Sequence, residues 1–199
     1  MESKIITPDY GFNFNQNIQK RIFVVDNFYE DPEKVRDLAL SQDFYTQPWY
    51  KGKRTNDRFL FHGQKQRFEN IIDEDINDWL TEPMNGRFQS CLPEDLIVYH
   101  CDTQKWAAMV FLTPDAPFEA GTSFYADKNS KVRDQNDTGI LKTFADQNFY
   151  DKTKFELVDK VGNVFNRLII FDGSLIHAAS SYFGYNLETS RLFHMFFFN

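Results

Sequence analysis

The sequence predicts a mostly β domain with flanking helices, an α+β arrangement whose core is a double-sheet jelly roll. Three observations carry that expectation. From Phe88 onward, runs of strand length follow one another: around 88–91, 96–102, 106–113 and 121–126, then 155–159, 167–171, 174–179 and 189–198. The two stretches with helical spacing both come earlier in the chain. Finally, 17% of the residues are aromatic, with 22 Phe, which suits strands that turn large side chains inward. A chain of 199 residues is long enough for one full core and short for two. The expected organisation is a single domain over 1–199. Residues 1–87 form an N-terminal strand and helix support region, and 88–199 form the jelly-roll core with a polar insertion at 127–154.

Taken in order, residues 1–20 show no periodicity and are expected to form an extended arm or a short edge strand. Residues 21–28 (Arg-Ile-Phe-Val-Val-Asp-Asn-Phe) read as a strand. A helix opens after Glu30 and Asp31, with Pro32 near its start and Val35, Leu38 and Ala39 on one face. Residues 48–55 form a loop by their Pro and Gly, combining Trp49 and Tyr50 with Lys51, Lys53 and Arg54. In an otherwise acidic protein this makes Trp49, Tyr50 and Arg54 candidates for a substrate entrance. The spacing of Phe68, Ile71, Ile72, Ile76, Trp79 and Leu80 predicts a helix over 67–80, ended by Pro83, Asn85 and Gly86. Within the polar stretch 127–154 a short helix is expected near 140–147.

The chemistry centres on Val98-Tyr99-His100-Cys101-Asp102. Side chains in a strand alternate, so His100 and Asp102 share a face with Cα atoms about 6.5–7 Å apart. That spacing suits two neighbouring ligands of one metal ion. A third ligand, His177, follows the apolar run 168–172 and its turn. Two His and one Asp on one face of a metal leave open positions for a chelating substrate and O₂, the arrangement of non-haem Fe(II) oxygenases. Arg191, on the returning strand, is a fixed two-pronged donor for a carboxylate. His194, three residues later, falls on the opposite face and is no ligand by this reading.

With these residues in place, the sequence resembles the Fe(II)/2-oxoglutarate-dependent dioxygenases, and among them the prolyl-4-hydroxylase-like branch. His100-x-Asp102, His177 and Arg191 carry the resemblance. Residues 109–114 (Met-Val-Phe-Leu-Thr-Pro) are similar to the strand that follows the ligand pair in that branch. Residues 119–124 (Glu-Ala-Gly-Thr-Ser-Phe) are similar to its Gly-Gly-x-Thr-x-Phe segment, with Ala120 in place of the first glycine. The resemblance implies a double-stranded β-helix, cupin-like core. It also implies Fe(II) on the three ligands, 2-oxoglutarate as cosubstrate with Arg191 clamping its distant carboxylate, and O₂, with ascorbate in support. Tyr125 is a candidate for lining the cosubstrate pocket. The implied reaction hydroxylates a peptidyl residue or small molecule and releases succinate and CO₂. Two other readings fit the ligands: a non-catalytic jelly-roll module stapled by metal, and a cupin-type isomerase or hydrolase. Neither has an evident use for Arg191.

A net charge of −7 and a pI near 5.1 argue against non-specific binding to nucleic acid or to an anionic membrane. No apolar run approaches the roughly 20 residues that span a bilayer. With two Cys only and no signal-peptide pattern, the expectation is a cytoplasmic, intracellular protein with reduced thiols. Cys101 alternates away from the ligand face.

Overall fold

The structure is a computed structural model that describes residues 20–136, 144 and 149–199. Two antiparallel sheets stack face to face. Strands β1 (Ile22–Val25), β2 (Phe44–Tyr45), β3 (Lys53–Thr55), β4 (Arg87–Cys91), β5 (Trp106–Phe111), β8 (Leu168–Asp172) and β10 (Arg191–Phe198) form the larger sheet. Its order is β1-β8-β5-β10-β4-β3-β2. The smaller sheet has β6 (Thr122–Asp127) between β7 (Phe155–Val161) and β9 (His177–Ala179). This is the mostly β, jelly-roll architecture that the sequence predicts. The arm expected over 1–20 and the helix expected near 140–147 fall outside the described residues, Lys20 and Phe144 apart.

Alternation along β10 divides the core in two. Leu192, His194, Phe196 and Phe198 face outward, toward the helices. There Phe68 is fully buried, with its ring 4.9 Å from Phe196 and 5.2 Å from Trp79. Arg191, Phe193, Met195 and Phe197 face the smaller sheet, where Phe124 meets Phe171 edge-on at 5.2 Å. Burial of this size is the main favourable contribution to folding.

Helix α1 (Pro32–Leu40) begins as its residues dictate. Asp31 caps it by accepting from the Lys34 amide at 3.1 Å, and Pro32 takes a first-turn position whose N–H would go unused. Helix α2 (Gln64–Ile72) starts earlier and ends sooner than its apolar spacing predicts. Asp73 stops it in the left-handed region at φ 59, with its amide donating to the Glu69 carbonyl. Ile76 and Trp79 still reach the same core, but from the turns after the helix. The apolar pattern thus continued although the helix did not. The expected loop at 48–55 also ends as a strand, since Lys53 and Arg54 pair with Ser90 and Gln89 on β4. This adds the N-terminal region to the large sheet.

The segment 96–102 corrects a third expectation. It is no laddered strand: within it, His100 makes an isolated bridge to His177. Its amides are satisfied one at a time, Tyr99 to Phe149 O at 2.7 Å, His100 to His177 O at 3.0 Å and Asp102 to Gly173 O at 2.7 Å. Gly173 permits that approach, because a Cβ there would collide with the Gln104 carbonyl and touch the Cβ of Asp102.

Candidate metal centre

His100 and Asp102 come from this extended segment, and His177 opens β9 beside them. Their ligand atoms all lie within 4.8 Å of one another. His100 Nε2 is 3.5 Å from Asp102 Oδ1, and His177 Nε2 is 3.3 Å from Asp102 Oδ2. The remaining ring nitrogens decide the tautomers. His100 Nδ1 lies 3.0 Å from the Val98 carbonyl, and His177 Nδ1 lies 2.8 Å from the Leu175 carbonyl. A carbonyl only accepts, so each Nδ1 carries the hydrogen and each Nε2 turns a bare lone pair toward Asp102. This is the orientation in which backbone partners fix metal-binding imidazoles. Asp102 Oδ2 is buried and has no hydrogen-bond donor among the described residues. Three convergent donors with an unsatisfied carboxylate oxygen are what a divalent first-row cation requires.

The same cavity, of about 100 Å³, reaches Arg191. Arg191 is only 2% exposed, yet no carboxylate among the described residues pairs with it. Its Nε donates to Ala120 O at 3.0 Å, and its Nη2 donates to Gly121 O at 3.1 Å and Thr122 Oγ1 at 3.2 Å. Phe193 and Phe111 flank the guanidinium, with centroids 4.7 and 5.3 Å away. Nη1 donates to no described residue. Burial pulls the group below its ordinary value, although a guanidinium stays charged at neutral pH. A buried cation without a counter-ion is costly, so the pocket calls for an anion. Arg167, the other arginine near these strands, is instead taken up by Asp26 at 2.6 and 3.0 Å.

Around the triad a second, outer cleft of about 460 Å³ opens. Trp49, Tyr50 and Arg54 line it together with His100 and Asp102, so the structure brings these three residues beside the candidate triad. Tyr125 is not brought there. Strand β6 turns Thr122 and Phe124 toward the pocket side and Tyr125 to the far face, where its ring meets Tyr99 at 5.0 Å in a separate cluster with Phe155. Two residues without a predicted role do line the cavity. Thr122 bonds Arg191, and Tyr182 reaches both cavities from the loop between β9 and β10. Burial pushes the Tyr182 hydroxyl upward, and the adjacent Cys91 adds to this. His194 lies behind the sheet, apart from the triad, as alternation predicts. No helix among the described residues is long and apolar enough to cross a membrane.

Residues 94–191 match a family model described as a family of unknown function (DUF6445). No curated protein matches the sequence. Solved structures do. HygX from Streptomyces hygroscopicus with nickel, 2-oxoglutarate and hygromycin B bound is 12% identical over 89% of this chain and 82% of that chain, at a TM-score of 0.54. HygX with iron bound is 13% identical over 89% and 81%, also at 0.54. An oxidoreductase of the 2OG-Fe(II) oxygenase family from Burkholderia pseudomallei is 8% identical over 89% and 84%, at 0.52.

Proposed function

The chain has the fold of the Fe(II)/2-oxoglutarate oxygenases, and on that premise we propose that it is itself such a dioxygenase, hydroxylating a small molecule or peptidyl residue. One observation carries this reading: a His-Asp-His triad with inward lone pairs shares its cavity with a buried, unpaired arginine. HygX holds 2-oxoglutarate in one structure and iron in another, which supports the same ligands here. In the proposed reaction one atom of O₂ enters a C–H bond of the substrate. The other enters succinate as 2-oxoglutarate loses CO₂.

His100, Asp102 and His177 would hold Fe(II), which supplies the oxidising chemistry when bound. Arg191 receives the distant carboxylate of the oxo acid through its free Nη1, steadied by Thr122 and the Ala120 and Gly121 carbonyls. The Val98 and Leu175 carbonyls keep both imidazoles in the ligating tautomer. Phe193 and Phe111 exclude water from the arginine, which strengthens its hold on an anion. A structural metal staple would need no such cation, and neither would a hydrolase.

The test is succinate formation from 2-oxoglutarate with Fe(II), ascorbate and O₂, without added substrate. Oxygenases of this kind turn the cosubstrate over slowly on their own. The expected result is succinate from the wild type and none above background from Asp102→Ala or an anaerobic sample. Equal succinate in all three would be solution iron chemistry and would remove the proposal.

A further inference from the structure

Arg54 is a second arginine without an anion, and it stands where the two cavities meet. Its place is set by β3, where Arg54 lies opposite Gln89 of β4. Arg54 Nε donates to Gln89 Oε1 at 2.8 Å, and the guanidinium lies over the Tyr50 ring at 4.2 Å. Gln89 is fixed in turn, its amide nitrogen donating to Lys51 O at 3.0 Å. One edge and one face of the guanidinium are therefore occupied. The end-on edge, Nη1 and Nη2, meets only the Met84 sulfur at 3.7 Å, a weak acceptor. Burial pulls the group below its ordinary value, with Tyr50, Cys91 and Asp102 acting against that. No ion pair forms between Arg54 and any described residue, and among the described residues Asp102 is the only acid lining either cavity.

We propose that the outer cleft takes a substrate bearing a carboxylate, received end-on by Nη1 and Nη2 of Arg54. The inference rests on the oxygenase reading and adds the chemical class of the primary substrate. An end-on guanidinium edge presents two parallel donors, which a planar carboxylate matches with both oxygens. Locking by Gln89 and Tyr50 removes the rotamer entropy that a free arginine would lose on binding. Trp49, Tyr50 and Phe149 give the carbon skeleton an aromatic wall. Lys51 lines the same cleft and is likewise outside any ion pair among the described residues, so the local field favours an anion in a protein of net charge −7. Because Arg54 borders the triad cavity as well, a carboxylate seated on it places the neighbouring carbons toward the metal. Arg191 lines the triad cavity but not the outer cleft, so the cosubstrate and the substrate have separate cations.

The experiment uses benzoate, phenylacetate and 3-phenylpropionate, each beside its neutral amide. Binding to the Mn(II)-loaded protein is followed by calorimetry, with and without 2-oxoglutarate. In the wild type at least one acid should bind about tenfold or more tighter than its amide, the scale of a charge-assisted pair. In Arg54→Gln the acid and its amide should agree within about twofold, while Arg54→Lys should keep part of the difference. Unchanged Mn(II) affinity certifies that each variant is folded at the triad. The proposal is overturned if no acid outbinds its amide. It is equally overturned if the preference survives Arg54→Gln, because the anion then belongs to the metal or to Arg191. Cosubstrate binding is read separately from the visible absorption band of the anaerobic Fe(II)–2-oxoglutarate complex. Its absence from the wild type would end the cosubstrate reading, and the Mn(II) titrations without 2-oxoglutarate would still decide Arg54.

Discussion

His177 and His194 are both buried imidazoles, 5% and 0% exposed, on opposite sides of the large sheet. Each has a nitrogen engaged: Nδ1 of His177 with the Leu175 carbonyl, and Nδ1 of His194 with the Tyr29 hydroxyl at 2.8 Å. Nε2 of His177 lies 3.3 Å from Asp102 Oδ2, whereas Nε2 of His194 has no hydrogen-bond partner among the described residues. The difference lies in what that nitrogen faces. For His177 it is a carboxylate and a second imidazole. The His194 ring instead packs among aromatic rings, its centroid 4.4 and 4.3 Å from those of Phe88 and Phe196. Burial alone is therefore not enough to make an imidazole a ligand; convergence with other donors is.

The largest effect expected from this contrast is on metal affinity. Asp102→Ala and His177→Ala should each reduce Fe(II) or Mn(II) binding by about a hundredfold or more while leaving a folded protein, because second ligands cannot shift to replace them. His194→Ala should leave the affinity within about threefold and instead lower stability by about 2–4 kcal/mol, as a large-to-small change in a packed core. Calorimetric metal titration and chemical denaturation on the same three proteins separate the outcomes. Metal affinity lost in His194→Ala and kept in His177→Ala would invert the assignment.

Next in size is the cation at the pocket floor. Arg191→Ala should raise the KM for 2-oxoglutarate with a loss of about 2–5 kcal/mol, the range for truncating one partner of a buried charge pair. Metal affinity should change little, and Arg191→Lys should recover only part, since an ammonium cannot also keep the Ala120, Gly121 and Thr122 contacts that hold the guanidinium in place. A KM within about twofold of wild type would leave the pocket without its anion site.

The outward face makes a prediction about pH. Burial holds His194 at about 3, below the unfolded imidazole, so the folded state keeps it neutral. A group whose folded pKa is depressed contributes stability that is complete above the unfolded value. That contribution is lost as pH falls toward the folded value. Stability should therefore decline from about pH 6.5 downward by up to about 1.4 kcal/mol per unit from this residue. Denaturation curves of His194→Gln should show a shallower decline over the same window. An identical slope would place the acid sensitivity elsewhere.

The smallest effect concerns two tyrosines. Tyr182→Phe should raise the KM for 2-oxoglutarate by a few-fold, since it removes a polar group from the cavity wall beside Arg191. Tyr125→Phe should leave it unchanged, because that ring packs on the far face of β6. Steady-state kinetics with varied cosubstrate would distinguish them.

These contrasts also mark what the residues disclosed in advance. The triad was readable because His-x-Asp has period two and His177 follows a long apolar run. Arg191 was singled out as a carboxylate donor on the strand that returns after His177, and the structure brings it to the triad's cavity. Tyr125 was misplaced for a physical cause: every residue of β6 is buried, so its own pattern does not say which face looks inward. That is set by the pairing of Phe124 with His177, a long-range fact. Tyr182 lies in a loop, where no periodicity applies. The end of α2 was hidden because Ile76 and Trp79 join the helix's core from turns, and apolar spacing records burial rather than backbone. The strand expected over 96–102 was apolar enough, but a ladder also needs an adjacent strand, and the segment finds one partner residue at a time.

One feature of β10 has a kinetic side. This strand docks between β4 and β5, pairing Arg191 with Cys91 and Phe193 with Phe111 across long stretches of chain. A shift of one residue in that docking would drive the guanidinium into the Leu and Phe layer and turn His194 toward the triad. Misdocking thus carries a charge-burial penalty that a wholly apolar strand would lack, and the arginine proofreads the zipper. The non-local docking of β10 also completes the pocket, since it carries Arg191 and Phe193 into the cavity wall. Recovery of cosubstrate binding on refolding should therefore coincide with recovery of the Phe68 core, with no binding-competent intermediate before it.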